Sequence, residues 1–157
     1  MNKFMNLIGI KSKKATESRI KTKNKNKVLN LYALLIEKEK KSILKENIKD
    51  VKFAKDKGLK DNIISRLSID ETKLKNIKES INKISKLKDP VNVTLKKWSR
   101  PNGLNIKRVT IPIGVIGVIF ESRPNVTSDV ASLCFKSGNA VIPVSYTHLT
   151  LPTILLV

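Results

Sequence analysis

The chain has 157 residues, and its 32 lysines and arginines against 13 aspartates and glutamates give a formal net charge of +19. A single cysteine excludes an intrachain disulfide and indicates a reducing compartment, so we expect a cytoplasmic protein. The opening segment MNKFMNLIGIKSKK has no apolar stretch long enough for a signal peptide or a membrane span, which argues against a membrane partner.

The positive charge comes almost entirely from lysine, because the sequence contains only five arginines. Proteins that read phosphates or bases rely on the bidentate fork of arginine. Abundant Asn, Ile and Lys, which all have codons rich in A and T, explain the basicity as a coding bias. We therefore expect no nucleic-acid partner. A basic nucleic-acid-binding domain is the alternative, and its binding would weaken steeply with salt.

Residues 1–90 are predicted to form a helical region. Residues 27–48 carry an amphipathic stripe that predicts one helix. Its apolar positions are Val28, Leu29, Leu31, Tyr32, Leu35 and Ile36. A short helix is expected after Asp50, ending near Gly58, since glycine tolerates a left-handed stop.

The segment Ser68-Ile69-Asp70-Glu71 has the pattern of a capping box, in which Ser68 and Glu71 each satisfy an orphan backbone donor. An apolar stripe of Leu74, Ile77, Ile81 and Ile84 then predicts a helix that Pro90 ends. These helices are typical of packing elements, and a helical interaction module is a further alternative for this half of the chain.

Residues 91–112 predict a β-hairpin. Val91, Val93 and Leu95 alternate with polar residues, the turn sequence Arg100-Pro101-Asn102-Gly103 follows, and the alternation resumes until Pro112. Trp98 beside the turn is interpreted as a packing or subunit-contact residue.

Residues 113–142 predict the start of an α/β domain. A β-branched run over 113–120 indicates a buried strand, and a polar loop over 121–125 follows it. Thr127 or Ser128 is expected to cap a helix that Gly138 closes, and residues 140–142 begin another strand. Loops at the carboxyl ends of such strands are where α/β proteins place ligands. The dinucleotide fingerprint GxGxxG is absent, and Cys134 is interpreted as a small core residue.

Residues 143–157 are predicted to be a non-native tail. Residues 144–157 contain no Lys, Arg, Asp, Glu or Asn, although the chain before them is crowded with these residues. Residues 144–153 also match the translation of a common transposon-end sequencing adapter, which puts the junction within the codon for Pro143. The alternative is a hydrophobic carboxyl-terminal strand. His148 lies in this tail and is given no catalytic or metal role, and no metal site is predicted.

The segment GVIGVIFESRPNVTSDVASLCFKSGN, with RLSID, KLKDPV and RPNGLNIKRV before it, resembles the amino-terminal third of the gamma-glutamyl phosphate reductases. This family is also called glutamate-5-semialdehyde dehydrogenase and belongs to the aldehyde dehydrogenase superfamily. The resemblance covers residues 1–142. Where the family continues into Leu-Arg-Gly-Gly, this chain has Pro143 and the adapter-like tail.

The resemblance implies an α/β chain that is the truncated amino-terminal part of an aldehyde-dehydrogenase-like fold. In it, residues 91–112 correspond to an oligomerisation hairpin, and residues 113–142 to the start of the NADP-binding domain. The implied activity is the NADPH-dependent reduction of gamma-glutamyl phosphate to glutamate 5-semialdehyde in proline biosynthesis, by an enzyme that is a homo-oligomer.

The resemblance also assigns roles to the loop. It implies that Glu121, Ser122, Arg123 and Pro124 line the cofactor pocket, and that Asn125 donates a hydrogen bond to the oxyanion. The family's nucleophilic cysteine lies far downstream, and Cys134 does not match it, so this chain is expected to be inactive.

Two structural alternatives stay open for these residues. In the first, Asn125 serves only as a turn residue after Pro124. In the second, Arg123 serves only as a structural ion-pair partner of Glu121 or Asp129.

Overall fold

The computed structural model describes residues 3–121 and 123–145. Ser122, the tail beyond 145 and its His148 therefore lie outside the described residues. The helices are α1 (Lys3–Thr16), α2 (Thr22–Lys38), α3 (Lys40–Asp56), α4 (Asp61–Leu67), α5 (Glu71–Lys86) and α6 (Pro124–Lys136). The strands are β1 (Thr94–Ser99), β2 (Asn105–Val109), β3 (Val115–Phe120) and β4 (Ala140–Ser145). This order confirms an α/β chain with a helical first half.

The single helix predicted over residues 27–48 is wrong, because two helices meet at Glu39. Its ψ of 10° turns the chain, although Glu39 still donates a backbone hydrogen bond to Leu35 and accepts one from Ile43. The apolar stripe continues across this kink, so the periodicity alone does not reveal it. The helix expected after Asp50 is the second half of α3, and Gly58 follows it with a φ of 67°, as predicted.

The predicted capping box is also wrong in its register. Asp70 is the cap of α5, and its Oδ1 accepts a hydrogen bond from the backbone N–H of Lys73 at 2.6 Å. Ser68 instead ends α4, where its N–H bonds to Ile64. An aspartate two residues after Ser68 is an equally good cap.

The core lies mainly between α2 and α5, where the predicted stripe of α5 is buried. Its buried members are Leu29, Ala33, Ile36, Leu74, Ile77, Ile81 and Ile84. Full burial of one such leucine or isoleucine stabilises a fold by about 1.5–3 kcal/mol. Phe135 of α6 packs against this cluster and thereby joins the α/β segment to the helical region.

A buried polar network makes the same connection. The Lys25 ammonium of α2 bonds to both oxygens of Asp89 and, at 3.1 Å, to the main-chain carbonyl of Lys136. The Lys136 ammonium in turn donates to the side chain of Asn26 and, at 2.8 Å, to the carbonyl of Ser85. Burial is the main reason why the pKa of Lys136 lies below its ordinary value.

The predicted hairpin is present, with β1 and β2 antiparallel and Trp98 opposite Ile106. Arg100 and Gly103 close the turn, where Gly103 has a φ of 83°. Trp98 is half-buried, and the Lys96 ammonium lies 6.0 Å from its ring centroid.

Strands β3 and β4 are parallel, with Val115 opposite Ala140 and Phe120 opposite Ser145, and α6 connects them. The expectation that the first strand is buried is wrong: its residues alternate between half-buried and exposed, and Ile119 is 77% exposed. A β-branched strand of a parallel sheet is normally covered on both faces. Here the described elements cover only the face of Ile116, Val118 and Phe120.

Candidate functional site

The loop after β3 lies where parallel sheets bind ligands. Because β3 and β4 run parallel and in register, their carboxyl ends meet at one edge of the sheet. The chain leaves β3 at Phe120 and enters α6 at Pro124, so the start of α6 lies at this edge. Crevices outside the carboxyl ends of strands are the usual ligand sites of open α/β sheets.

The described residues of this loop present mainly polar side chains. Glu121, Arg123 and Asn125 are exposed, whereas Pro124 is buried. Proline fits the first helical position, because its fixed φ suits the helix and its missing N–H would have no partner there. The start of α6 is therefore anchored by Pro124, and the polar groups on either side of it face solvent.

The helix cap predicted at Thr127 or Ser128 is wrong. Arg123 is the N-cap residue, and both predicted residues lie inside α6, at its fourth and fifth positions. Ser128 is buried, and its hydroxyl donates to the main-chain carbonyl of Asn125 at 2.8 Å.

No acidic side chain balances the partial positive charge at the start of α6. Arg123 supplies no side-chain cap, and no acidic residue occupies the first turn. The unpaired N–H groups of a helix start carry a partial positive charge. This edge of the sheet therefore favours anionic groups.

Neither structural alternative for the loop residues is observed. Within residues 3–121 and 123–145, Arg123 forms no ion pair, so it is not paired with Glu121 or Asp129. Asn125 lies inside α6 and not in a turn, and its side-chain amide bonds to no described residue. Both side chains are thus available to other groups.

Asn125 also borders a groove of about 390 Å³ between α6 and the helices α4 and α5. Its lining includes Arg66, Ser68, Lys73, Asn76, Ser80, Pro124, Asn125 and Asp129. The Ser80 hydroxyl donates to Asp129 Oδ1 at 2.8 Å across the groove. Arg66, Ser80 and Asp129 match no sequence motif for a site. The only local signal was the spacing of Asn125 and Asp129, which places them on one face of α6.

Cys134 behaves as the core residue that the sequence predicted. It is 7% exposed, and burial raises the pKa of its thiol above the ordinary value. A thiolate is the reactive form of cysteine, and an apolar environment disfavours it. This thiol is therefore poorly suited to nucleophilic catalysis.

Among the described residues, no group of three His, Cys, Asp or Glu side chains is placed to hold a metal ion. In the same part of the chain, no helix combines the length and the apolar character needed to cross a membrane.

The described residues form a helical region, an antiparallel hairpin and a parallel strand–helix–strand unit, and a polar loop follows the first strand of that unit. This architecture is that of an α/β protein with a candidate ligand-binding loop. Comparison with known proteins makes this more specific. No protein-family model matches the chain. Curated relatives do match: a gamma-glutamyl phosphate reductase of Caldanaerobacter subterraneus subsp. tengcongensis is 47% identical over 141 residues, and one of a Nitratiruptor species is 48% identical over 136 residues.

Solved structures agree with these relatives. The gamma-glutamyl phosphate reductase of Thermotoga maritima superposes with a TM-score of 0.82 at 35% identity, and that of Saccharomyces cerevisiae with a TM-score of 0.84 at 30% identity. These two matches cover 86% and 88% of this chain but 33% and 36% of the solved chains.

The chain likewise spans about a third of the curated relatives, 34% of the first and 33% of the second. By sequence and by fold, it is an amino-terminal part of a protein of the gamma-glutamyl phosphate reductase family.

Proposed function

We propose that the chain is the amino-terminal part of an NADPH-dependent reductase, which converts gamma-glutamyl phosphate to glutamate 5-semialdehyde and phosphate in proline biosynthesis. The observation that carries this proposal is the agreement of sequence and fold with reductases of that name over more than four-fifths of the chain. The loop after β3 supplies the polar groups that such a reaction requires at the sheet edge.

The reaction requires a thiolate that displaces phosphate, a hydride donor, and hydrogen-bond donors for the oxygen that becomes anionic. Asn125 is our candidate for the third requirement. Its exposed amide has no described partner and stands beside the uncompensated start of α6. An amide donor stabilises a developing oxyanion and carries no charge that would disturb a neighbouring thiolate.

The residues Glu121 to Pro124 are our candidates for the cofactor pocket. Two features of this loop fit a nicotinamide cofactor. Glu121 and Arg123 are exposed at the carboxyl end of strand β3, and the first turn of α6 favours the anionic phosphates of such a cofactor. Arg123 would hold a phosphate or a carboxylate through its fork, and Pro124 fixes the start of the helix. Ser122 is a candidate on the family resemblance alone. When bound, NADPH supplies the hydride.

We further propose that these 157 residues have no reductase activity by themselves. The only cysteine of the sequence is Cys134, which is buried in α6 with a raised pKa. The reactive thiolate would come from the family's catalytic domain.

The family's homo-oligomeric state and a cytoplasmic location belong to the same proposal. The hairpin is the candidate contact between subunits, because it exposes Val93, Leu95, Leu104 and Val109. Exposed apolar side chains on one element are typical of a surface that another chain covers.

Residues 143–157 remain a proposed non-native tail. Strand β4 continues through Pro143 to Ser145 and pairs with β3 along its length. A proline in a strand cannot donate to the ladder, so a native leucine at this position would pair better.

The test begins with genomic DNA read across the codon for Pro143. We expect native codons for Leu-Arg-Gly-Gly after Ile142 and, much later, a reactive cysteine. The restored gene product should reduce NADP in the presence of glutamate 5-semialdehyde and phosphate, whereas the 157-residue chain should not. The proposal is contradicted if the genomic reading frame continues into VSYTHLTLPTILLV, or if the restored protein lacks this activity.

The role of Asn125 is tested in the restored enzyme. Asn125→Ala should lower kcat by about 100- to 1000-fold, as expected for one oxyanion donor. Asn62→Ala at an exposed position of α4 is the matched control and should leave kcat unchanged. Equal kcat values for the two variants would exclude Asn125 from the oxyanion site.

A further inference from the structure

The groove beside Asn125 contains a carboxylate without a cationic partner. Asp129 is half-buried, and its Oδ1 accepts the hydrogen bond from Ser80. Within residues 3–121 and 123–145 it forms no ion pair. The second oxygen of Asp129 therefore remains available to a positive group that enters the groove.

The side chains that the structure records as interacting with Asp129 are neutral. Ser80 of α5 faces it with a neutral hydroxyl, and Tyr32 of α2 lies near enough to respond to its charge. Burial, and after it the Asp129 carboxylate, raise the pKa of Tyr32, so this phenol stays neutral beside the acid.

The same groove carries positive charge on its other wall. The side chain of Lys73, a residue of α5, reaches the end of α4. Its ammonium there donates hydrogen bonds to the main-chain carbonyls of Ser65 and Ser68 at 3.0 and 2.6 Å. Arg66 is exposed at the groove and, in the described part of the chain, forms no ion pair. Its guanidinium is therefore free to bind a carboxylate with two parallel hydrogen bonds.

The spacing along α6 connects this charge pattern to the reacting centre. Asn125 and Asp129 are four residues apart on one helix face, so their β-carbons are about 5–6 Å apart. A gamma-glutamyl group has a short chain of two methylenes between its α-carbon and its reactive carbonyl carbon. One turn of helix is therefore enough to place the carbonyl near Asn125 while the α-carbon lies near Asp129.

We propose that this groove binds the α-amino-acid head of the substrate, with Asp129 receiving the ammonium group and Arg66 the α-carboxylate. The inference rests on the proposed function, and it adds the basis for choosing a gamma-glutamyl group over a simple acyl phosphate. An acyl phosphate without an ammonium group leaves Asp129 unpaired, and one without the α-carboxylate leaves Arg66 unused. Asp129 and Arg66 are thus specificity residues, and they take no part in the hydride or phosphate steps.

Binding to the 157-residue chain tests the inference without any reductase assay. The probes are L-glutamate, glutarate, which lacks the amino group, and 4-aminobutyrate, which lacks the α-carboxylate. We expect L-glutamate to raise the urea unfolding midpoint of the chain at low micromolar protein, and each analogue to bind at least about 10-fold more weakly, the usual loss for one charge-assisted hydrogen bond. Equal affinities for the three probes, or no shift of the midpoint with L-glutamate, would overturn the inference.

Variants of Asp129 separate a binding role from a structural one. Asp129→Asn keeps an oxygen acceptor for Ser80 and should weaken L-glutamate binding about 10-fold or more, whereas Asp129→Glu should restore part of it. Glu79→Gln removes the same charge from an exposed position of α5 and is the matched control. Equal binding by Asp129→Asn and Glu79→Gln rejects the assignment.

The restored enzyme provides the second readout. There Asp129→Asn should raise the KM for glutamate 5-semialdehyde about 10-fold and leave the KM for NADP unchanged. An active enzyme in which this variant changes neither constant contradicts the head-group site but leaves the proposed reductase function intact. Conversely, a restored protein without reductase activity removes the proposed function, while the binding measurements on the chain still report on the groove.

Discussion

Lys25 and Asp89 form a buried ion pair with a distance of 2.9 Å, although 64 residues separate them in the chain. Lys25 belongs to α2 and Asp89 to the connection between α5 and the hairpin. The same lysine bonds to the carbonyl of Lys136 at the end of α6. This pair therefore links the helical region, the approach to the hairpin and the α/β segment.

Removing one partner of this pair should destabilise the fold strongly. Asp89→Asn leaves the Lys25 ammonium buried without a counter-charge, and we expect the free energy of unfolding to fall by about 3 kcal/mol. Glu46→Gln breaks the exposed pair with Lys49 and should change it by about 0.5 kcal/mol at most. Urea unfolding at low micromolar concentration, followed by circular dichroism, measures both. Similar losses in the two variants would show that the pair does not hold the segments together.

The same pair predicts how stability depends on pH. Burial tends to raise the pKa of Asp89, but hydrogen bonds from Lys25, Val91 and Thr22 bring it below the ordinary value of 3.8. Because the folded carboxyl binds its proton less tightly than the unfolded one, this stabilisation is complete above the unfolded pKa of about 3.9. It is lost as the pH falls through the lower folded pKa. Urea midpoints between pH 7 and pH 3 should therefore fall more for the wild type than for Asp89→Asn, and parallel curves would contradict this cause.

Gly138 should tolerate substitution less well than Gly117. A β-carbon at Gly138 would lie 3.1 Å from the Pro112 side chain, and the residue has a φ of 73°. We expect Gly138→Ala to lower the free energy of unfolding by about 1–2 kcal/mol from the left-handed backbone alone. Gly117→Ala, whose β-carbon would have no neighbour within 4 Å, is the control and should have a smaller effect. Urea midpoints of the two variants test this order.

The cap of α5 provides a direct test of the corrected helix start. Asp70→Ala removes the acceptor for the Lys73 N–H and should lower the free energy of unfolding by about 1 kcal/mol. Ser68→Ala removes a hydroxyl that caps nothing in α5 and should have little effect. If Ser68→Ala were the more harmful change, the capping box read from the sequence would be correct after all.

The open face and the unpaired edges of the β3–β4 sheet should make this chain prone to aggregate. Ile119 is 77% exposed, and Ile113 just before the strand is 84% exposed. In the described residues the sheet has two strands, so each strand keeps an outer edge without a partner. Ile119→Lys should reduce light scattering at tens of micromolar protein, whereas Asn62→Lys adds the same charge to α4 and should not. A soluble, cooperatively unfolding wild-type monomer at that concentration would contradict the prediction.

Much of the fold was predictable because its signals are local. The stripe from Leu74 to Ile84 repeats with the helical period, and α5 buries that face. The turn at residues 100–103 and the stop at Gly138 follow from the positive φ that glycine adopts readily. The order strand, helix, strand after Pro112 follows from the same kind of local pattern.

The candidate site was predictable only in part. Its place after β3 followed from the abrupt change from apolar to polar residues at Glu121, and the roles of the loop residues came from the family resemblance. The groove partners Arg66 and Ser80 gave no such signal, since each is an ordinary polar residue on an amphipathic helix. Their relevance comes from lying opposite Asp129, and helix packing alone brings them there.

The sequence by itself determined the helix with the stripe from Leu74 to Ile84, the hairpin and the strand–helix–strand order after Pro112, because periodicity and glycine conformations act between near neighbours in the chain. Tertiary structure decided the pairing of Lys25 with Asp89 and the composition of the groove. These features depend on how residues far apart in sequence are brought together, and the free energy that selects them comes from packing and desolvation, which no local pattern records.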